Sequence, residues 1–244
     1  MHTTELAYGG GLNPSDGFPV FFTEVSGQLG RYDTTRADAG RISQIFPPET
    51  YPKVIDICCG LGRISKSLHD IGYDVQGLDL SEQQINLAKE QNPGPTYVVG
   101  DMASPPGENF DIITNMYTSF GYYSSEAEDI SLFKKWCSLL RPGGVLIMEL
   151  ADMERARNRI PGNGELVRRN GDVEEFLTID WESRILTVDY RSAGRSWLCK
   201  TRLYEKEFLR SSLLEAGFET VDLYGSLEFT EKLPDDNLII VARK

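Results

Sequence analysis

Residues 52–68, "PKVIDICCGLGRISKSL", decide the fold. "KVIDICC" is a short apolar run bounded by turn residues, which reads as a strand buried on both faces. It breaks at Cys58 and Cys59, and Gly60 and Gly62 then allow a tight turn and close approach of backbone to a ligand over a helix N-terminus. "GRISKSLHDIG" has helical spacing, with Ile64, Leu68 and Ile71 on one side and Gly72 as C-cap. The cysteines have two readings. A helix N-terminus lowers a thiol pKa, but neither cysteine has a histidine partner, and a nucleophile without a base is weak. The backbone of the turn is the better candidate for the chemistry.

The strand–turn–helix unit repeats in kind. "YDVQGLDL" is a second strand, "SEQQINLAKEQN" a helix with Ser81 as N-cap and Gln84 three residues on, and "TYVVGDM" a third strand. "FDIITNMY" is the fourth strand, "EDISLFKKWCSLL" a helix stopped by "RPGG", and "VLIMEL" the fifth strand. Strands alternating with helices of this length imply parallel βαβ units in a doubly wound sheet. Upstream, residues 1–17 read as a loosely ordered arm, and a helical stretch from about Phe21 to Phe46 is broken near Gly27 to Gly30. After Leu150, residues 165–204 show alternation and the turn dipeptide Asn170-Gly171, the pattern of an antiparallel insertion. "EKEFLRSSLLEAG", "FETVDLYG" and "NLIIVARK" return to the first sheet. The chain therefore divides into an arm and lid (1–31), a cofactor-binding core (32–150), an antiparallel β insertion (151–204) and a C-terminal segment completing the core sheet (205–244).

Composition narrows the function. Thirty-seven acidic against 25 basic residues give a net charge of −12, a field that repels phosphate backbones and anionic lipid surfaces. Neither nucleic acid nor a membrane is expected as partner. Arg168 and Arg169 in "ELVRRNGD" read as a solvated turn rather than a basic groove. No apolar run approaches a bilayer span, and the N-terminus lacks the order of a signal peptide, so a cytoplasmic protein is expected. Four cysteines and two histidines in these positions suit neither a disulfide framework nor a metal site.

In an open parallel sheet, ligands bind beyond the carboxyl ends of the strands near the switch in strand order. Asp79 ends the second strand at the distance from the glycine turn where a carboxylate meets both hydroxyls of an unmodified ribose. After the third strand, Asp101 is an acceptor for an exocyclic amine and Met102 an apolar cover for a base. Each also fits a plainer role, Asp79 as part of a helix cap and Asp101 as a turn residue. Together at successive strand ends they suit adenosine.

With "VIDICCGLGR", "GLDLS", "GDM", "FDIITNMYTSFGYY", "LLRPGGVLIMEL" and "LLEAGFE", the chain resembles the class I S-adenosylmethionine-dependent methyltransferase family from about Tyr32 to Lys244. The resemblance implies a Rossmann-like, seven-stranded, mostly parallel sheet with "NLIIVARK" antiparallel, and S-adenosyl-L-methionine as cofactor. It implies that Asp56 and the backbone of Cys58, Gly60 and Gly62 surround the methionine portion, and that Asp79 takes the ribose hydroxyls. Leu80 would pack on adenine, Asp101 accept from its amine, and the Met102 backbone meet the ring. Asn115 would hold the methionine amino group through its carbonyl, Tyr32 close over the cofactor, and Arg36 or Arg41 neutralise its carboxylate. The family's first glycine is replaced by Cys58, which a negative φ would accommodate.

"TSFGYY" resembles a subgroup acting on small molecules, including amino groups of sugars and other natural-product scaffolds. The resemblance implies methyl transfer to a nitrogen or oxygen, with an amine or amino sugar favoured over a hydroxyl or carboxylate. Tyr117 and Tyr122 are the candidate catalytic residues, with Tyr123 or an acid after the fifth strand such as Glu149 or Asp152 as other candidate bases, and Phe120, Tyr123 and Glu149 the candidate substrate pocket; walling an apolar pocket is the favoured reading of the tyrosines. The insertion would form a substrate lid or offer strands for a homodimer. Other readings are a non-catalytic adenosyl-cofactor-binding subunit, a nicotinamide-dependent oxidoreductase, for which Ser65 stands where a third glycine belongs, and an aminopropyl transferase, which would carry acids where Asn115 and Met116 stand.

Overall fold

A computed structural model describes residue 29 and residues 34–244. The expected arm and lid (1–31), Tyr32 and the first part of the helix expected from Phe21 fall outside the described residues, apart from Leu29. The remainder of that helix is α1, Thr35–Ile45.

Five strands arise where the apolar runs predict them: β1 Lys53–Ile57, β2 Asp74–Asp79, β3 Thr96–Val99, β4 Phe110–Asn115 and β5 Leu140–Leu150. Between them lie α2 Arg63–Ile71, α3 Glu82–Gln91 and α4 Glu126–Leu139. Ser81 caps α3 as its sequence predicts, its hydroxyl accepting from the Gln84 N–H at 3.2 Å. Ser125 and Glu128 form a capping box at the start of α4. The "RPGG" stop is absorbed into β5, whose pairing with β4 shifts register between Phe110 and Ile112.

The seven-stranded sheet completes with β10 Thr220–Tyr224 and β11 Leu238–Arg243, in the order β10-β11-β5-β4-β1-β2-β3. β11 is antiparallel to both neighbours and the other six strands run parallel to one another. Alternation along the strands feeds two cores. Ile55, Ile57, Ile113, Leu146 and Met148 face Phe120, Phe133 and Trp136. Val54, Ile112, Val145 and Ile147 face Ala39 and Ile42 of α1 and Ile64 and Leu68 of α2.

Between β5 and the closing helix α6 (Lys206–Glu215) lies the insertion. It opens with α5, Met153–Arg159, a helix that the alternation reading does not anticipate, capped by Asp152 accepting from the Arg155 N–H. A four-stranded antiparallel meander follows: β6 Glu165–Asn170, β7 Val173–Asp180, β8 Ile185–Ser192 and β9 Arg195–Arg202. The turn expected at Asn170-Gly171 falls one residue later. Gly171 (φ +58) and Asp172 form the loop, because Asn170 pairs with Val173.

The meander is fastened to the core by one buried cluster. The Arg202 guanidinium donates to Asp129 Oδ2 (2.7 Å), Tyr123 O (3.1 Å) and Ser124 O (2.9 Å), and the Tyr204 hydroxyl donates to the same Asp129 oxygen (2.8 Å). Arg202 and Asp129 are both buried, so each charge needs the other. Gly121 (φ +88) lies against this joint, where a Cβ would come within 2.3 Å of the Arg202 carbonyl.

Candidate active site

β1 sits between β2 and β4, so the ends of these strands meet at the switch in strand order. A cavity of about 230 Å³ opens there. Its wall includes the β1–α2 turn, Asp79 at the end of β2 and Leu80 after it, Asp101 and Met102 after β3, and Tyr117, Tyr122 and Tyr123 after β4.

The turn is a run of left-handed residues: Cys58 at φ +63, Gly60 at +54 and Gly62 at +73. The negative φ expected for Cys58 is therefore corrected; the residue pays the steric cost of a conformation that suits glycine. Its Sγ lies 3.6 Å from Met102 Sδ. Burial, then the charges of Asp79, Asp56 and Asp101, push the Cys58 thiol well above its ordinary pKa. Cys59 packs with Ile85, Ala88 and Tyr97, and its thiol is pushed up in the same way. Both surroundings disfavour the thiolate, which argues against the nucleophilic reading. Gly62 does not line the cavity. It lies under Tyr97, whose hydroxyl a Cβ there would approach to 2.3 Å, and its role is the shape of the turn.

Asp56 is buried at the floor, accepting from Ser65 Oγ and from Thr114 Oγ1 (2.9 Å). Burial raises its carboxyl to about 7 against those two hydrogen bonds. Ser65 is thus committed to Asp56, at the position where a dinucleotide fold would need a glycine. Asp79 accepts from the Gly60 N–H and the Ser81 N–H, both at 2.9 Å, so one carboxylate ties the β1 turn to the start of α3. Burial raises its pKa, opposed by those N–H groups.

Asp101 accepts from the Ala103 N–H and from the Tyr123 hydroxyl, both at 2.7 Å. Tyr123 therefore belongs to this first cavity, not to the substrate pocket expected for it. Met102 lines the cavity, and Trp136 Nε1 donates to its carbonyl at 2.9 Å. Asn115 is fully buried and bridges elements, donating from Nδ2 to Ile57 O (3.1 Å) and Ser119 O (3.0 Å). Its side chain does not line the cavity. Arg36 is exposed on α1 and outside the lining, and Arg41 pairs with Asp38 and Glu228. Among the described residues, the cation that lines it is Arg63, in the first turn of α2; "GLGR" carried that signal.

A second cavity, about 380 Å³, lies between the β4 loop, the end of β5 and the inner face of the meander. Tyr117 and Tyr122 line both cavities, and Phe120 and Glu149 line the second. Tyr117 (φ +58) and Thr118 (φ +66) are consecutive left-handed residues without glycine's freedom. Surrounding groups hold them there. The Tyr117 hydroxyl donates to Thr35 Oγ1 (2.7 Å), Thr118 N–H to Glu149 O (2.9 Å), and the Tyr122 hydroxyl to Thr118 O (3.0 Å). Arg168, expected in a solvated turn, lines this cavity and pairs with the buried Glu175 at 3.1 Å, while Arg169 pairs outside with Glu174.

Residues 54–144 match the family model described as a methyltransferase domain. Over these residues the chain is similar to a methyltransferase domain. The methyltransferase from Streptomyces caelestis named CcbJ superposes with a TM-score of 0.80 at 19% identity, covering 98% of each chain. An amino pentose methyltransferase from Micromonospora echinaspora superposes at 0.70 and 20% identity over the whole of both chains. In sequence, the domain is 28% identical over 119 residues to a dTDP-3-amino-3,6-dideoxy-alpha-D-glucopyranose N,N-dimethyltransferase from Streptomyces fradiae, covering 48% of this chain and 46% of that one. It is 30% identical over 162 residues to a ubiquinone biosynthesis O-methyltransferase from Parvibaculum lavamentivorans, covering 61% and 62%. The chain spans about half the length of the first curated relatives it matches. Among the described residues, no helix is long and apolar enough to cross a membrane.

Proposed function

We propose that the protein transfers a methyl group from S-adenosyl-L-methionine to the nitrogen of a small amine, an amino sugar being the favoured class. The observation that carries this is the pair of cavities meeting at Tyr117 and Tyr122, one walled by adenosine-binding chemistry and the other by the meander. The first cavity fits the cofactor. Asp79 keeps lone pairs for two ribose hydroxyls beside its backbone bonds. Leu80 and Met102 offer apolar cover for a base, and Asp101 an acceptor for its amine. The left-handed turn, Asp56 and Arg63 surround the space left for the charged methionine end. When bound, the cofactor supplies an electrophilic methyl carbon on a sulfonium whose thioether leaves without needing a proton.

This chain's residues then have one main task, to hold the acceptor nitrogen in line across the Tyr117–Tyr122 partition. Relatives named for sugar N,N-dimethylation and sugar N-methylation support nitrogen as the acceptor. The acidic surface favours a small molecule over nucleic acid and fits a cytoplasmic enzyme. The edge strand β6, with Val167 exposed, is the surface we assign to a homodimer.

Calorimetric titration with S-adenosylmethionine, S-adenosylhomocysteine and the nicotinamide cofactors tests the first half. Binding of the adenosyl compounds alone is expected, and binding of a nicotinamide cofactor alone would overturn the reading. Labelled cofactor incubated with amino sugars, amines, phenols and carboxylates tests the second. Label on oxygen only would move the assignment to an O-methyltransferase.

A further inference from the structure

An amine is an ammonium ion near neutral pH and cannot attack until it loses a proton. No histidine lines either cavity among the described residues. The tyrosines at the partition are engaged as donors, and burial raises the Tyr117 pKa. Among the described residues, two carboxylates line the second cavity. Glu175 sits on the meander wall with Arg168 on one oxygen and Asn170 on the other. Glu149, at the end of β5, stands beside the partition: the Tyr117 N–H points at its Oε2 (3.4 Å), and Asn237 donates to its Oε1 (2.7 Å).

From this geometry we propose that Glu149 accepts the proton from the substrate ammonium, an assignment that rests on the amine-methyltransferase reading above. The ammonium N–H bond breaks with its electron pair staying on nitrogen, and the proton forms an O–H bond on the Glu149 carboxylate. The freed pair makes the N–C bond to the methyl carbon while the C–S pair leaves with sulfur. The proton has an exit. Glu149, Arg155 and Asn237 line both the second cavity and a third, of about 430 Å³, bounded by α1 and the β10–β11 connection. The charged groups around the carboxylate are Asp38 and Arg41 of α1, Arg155 of α5, and Glu228, Asp235 and Asp236 of that connection. Burial is the largest influence on Glu149 and raises its pKa. Asn237 and the Tyr117 N–H lower it, Asp38 raises it and Arg155 lowers it. A carboxylate with a raised pKa is the better base near neutral pH.

The test follows methyl transfer to aminohexoses and alkylamines from pH 6 to 10, alongside S-adenosylhomocysteine binding. Glu149→Gln should bind the cofactor product like wild type and lose activity by about 100-fold or more at pH 7. Its deficit should shrink as pH nears the amine's own pKa, about 10 for an alkylamine. A wild-type rate in that variant, or a loss independent of pH, would overturn the role of Glu149 alone. Wild-type kcat at saturating alkylamine needs no variant. It should level off well below the amine's pKa, and a rate that follows the amine's own titration would overturn the proposal. Wild-type enzyme that methylates hydroxyls only, or no amine, would overturn both readings.

Discussion

The loops after β1 and β4 make the same kind of bend by different means. After β1 the left-handed positions fall on Cys58, Gly60 and Gly62, and two of the three cost little because they are glycines. After β4 they fall on Tyr117, Thr118 and Gly121, and the first two are held by Thr35, Glu149 and Tyr122, which come from distant segments or the far end of the loop. A loop shaped by its own glycines keeps its form locally. One shaped by borrowed contacts depends on α1, β5 and the meander being in place, which suits the side that must adapt to a substrate.

The largest way to break the symmetry is Asp79→Ala. It removes the carboxylate that holds Gly60 and, in our reading, two ribose hydroxyls. Two hydrogen bonds to a charged group are worth together roughly 3 kcal/mol or more, so titration should show adenosyl binding weakened by about 100-fold or more. The β4 side should behave oppositely. Gly121→Ala forces a Cβ within 2.3 Å of the Arg202 carbonyl at φ +88. It should cost about 2 kcal/mol or more in denaturant unfolding and abolish methyl transfer while leaving cofactor affinity within a few-fold. Loss of cofactor binding in that variant would mean the two loops are not separable.

A pH series sharpens the β1 side. The folded-state pKa of Asp56, about 7, lies above its unfolded value near 3.8. The folded protein therefore holds a proton that the unfolded chain has released between those values. That contribution is fully present below about pH 4 and is lost as pH rises through about 7. Chemical denaturation from pH 4 to 8 should show stability falling, with a shallower fall in Asp56→Asn. Asp79, Asp129 and Glu149, also raised, keep part of the slope. The smallest effect is Cys58→Gly, which relieves one left-handed side chain and should stabilise the fold by about 1 kcal/mol with cofactor affinity retained. No gain there would mean that the Cys58 sulfur contacts offset its strain.

What could be read from sequence follows the same division. The strands, the cap at Ser81 and the glycine turn are local patterns, and the structure has them. So does the carboxylate at the end of β2. The φ of Cys58 was not legible, because a cysteine there says nothing of the turn that neighbouring glycines impose. Nor was the cavity-facing side of Arg168, because that depends on the meander docking through Arg202 onto Asp129, 73 residues away. The same joint, through the Tyr123 carbonyl and N–H, turns the Tyr123 ring towards Asp101 and the first cavity. Helix α5 escaped notice because only Met153 and Ala156 are buried on it, too few to set a period.

In our reading, cofactor and acceptor occupy separate cavities that meet at Tyr117 and Tyr122. A crystal structure with S-adenosylhomocysteine tests it most directly. The ribose should lie on Asp79, the base between Leu80 and Met102, and the sulfur should face the tyrosine partition with the second cavity open beyond it. Adenosine bound elsewhere, or a sulfur turned away from that partition, would contradict the account.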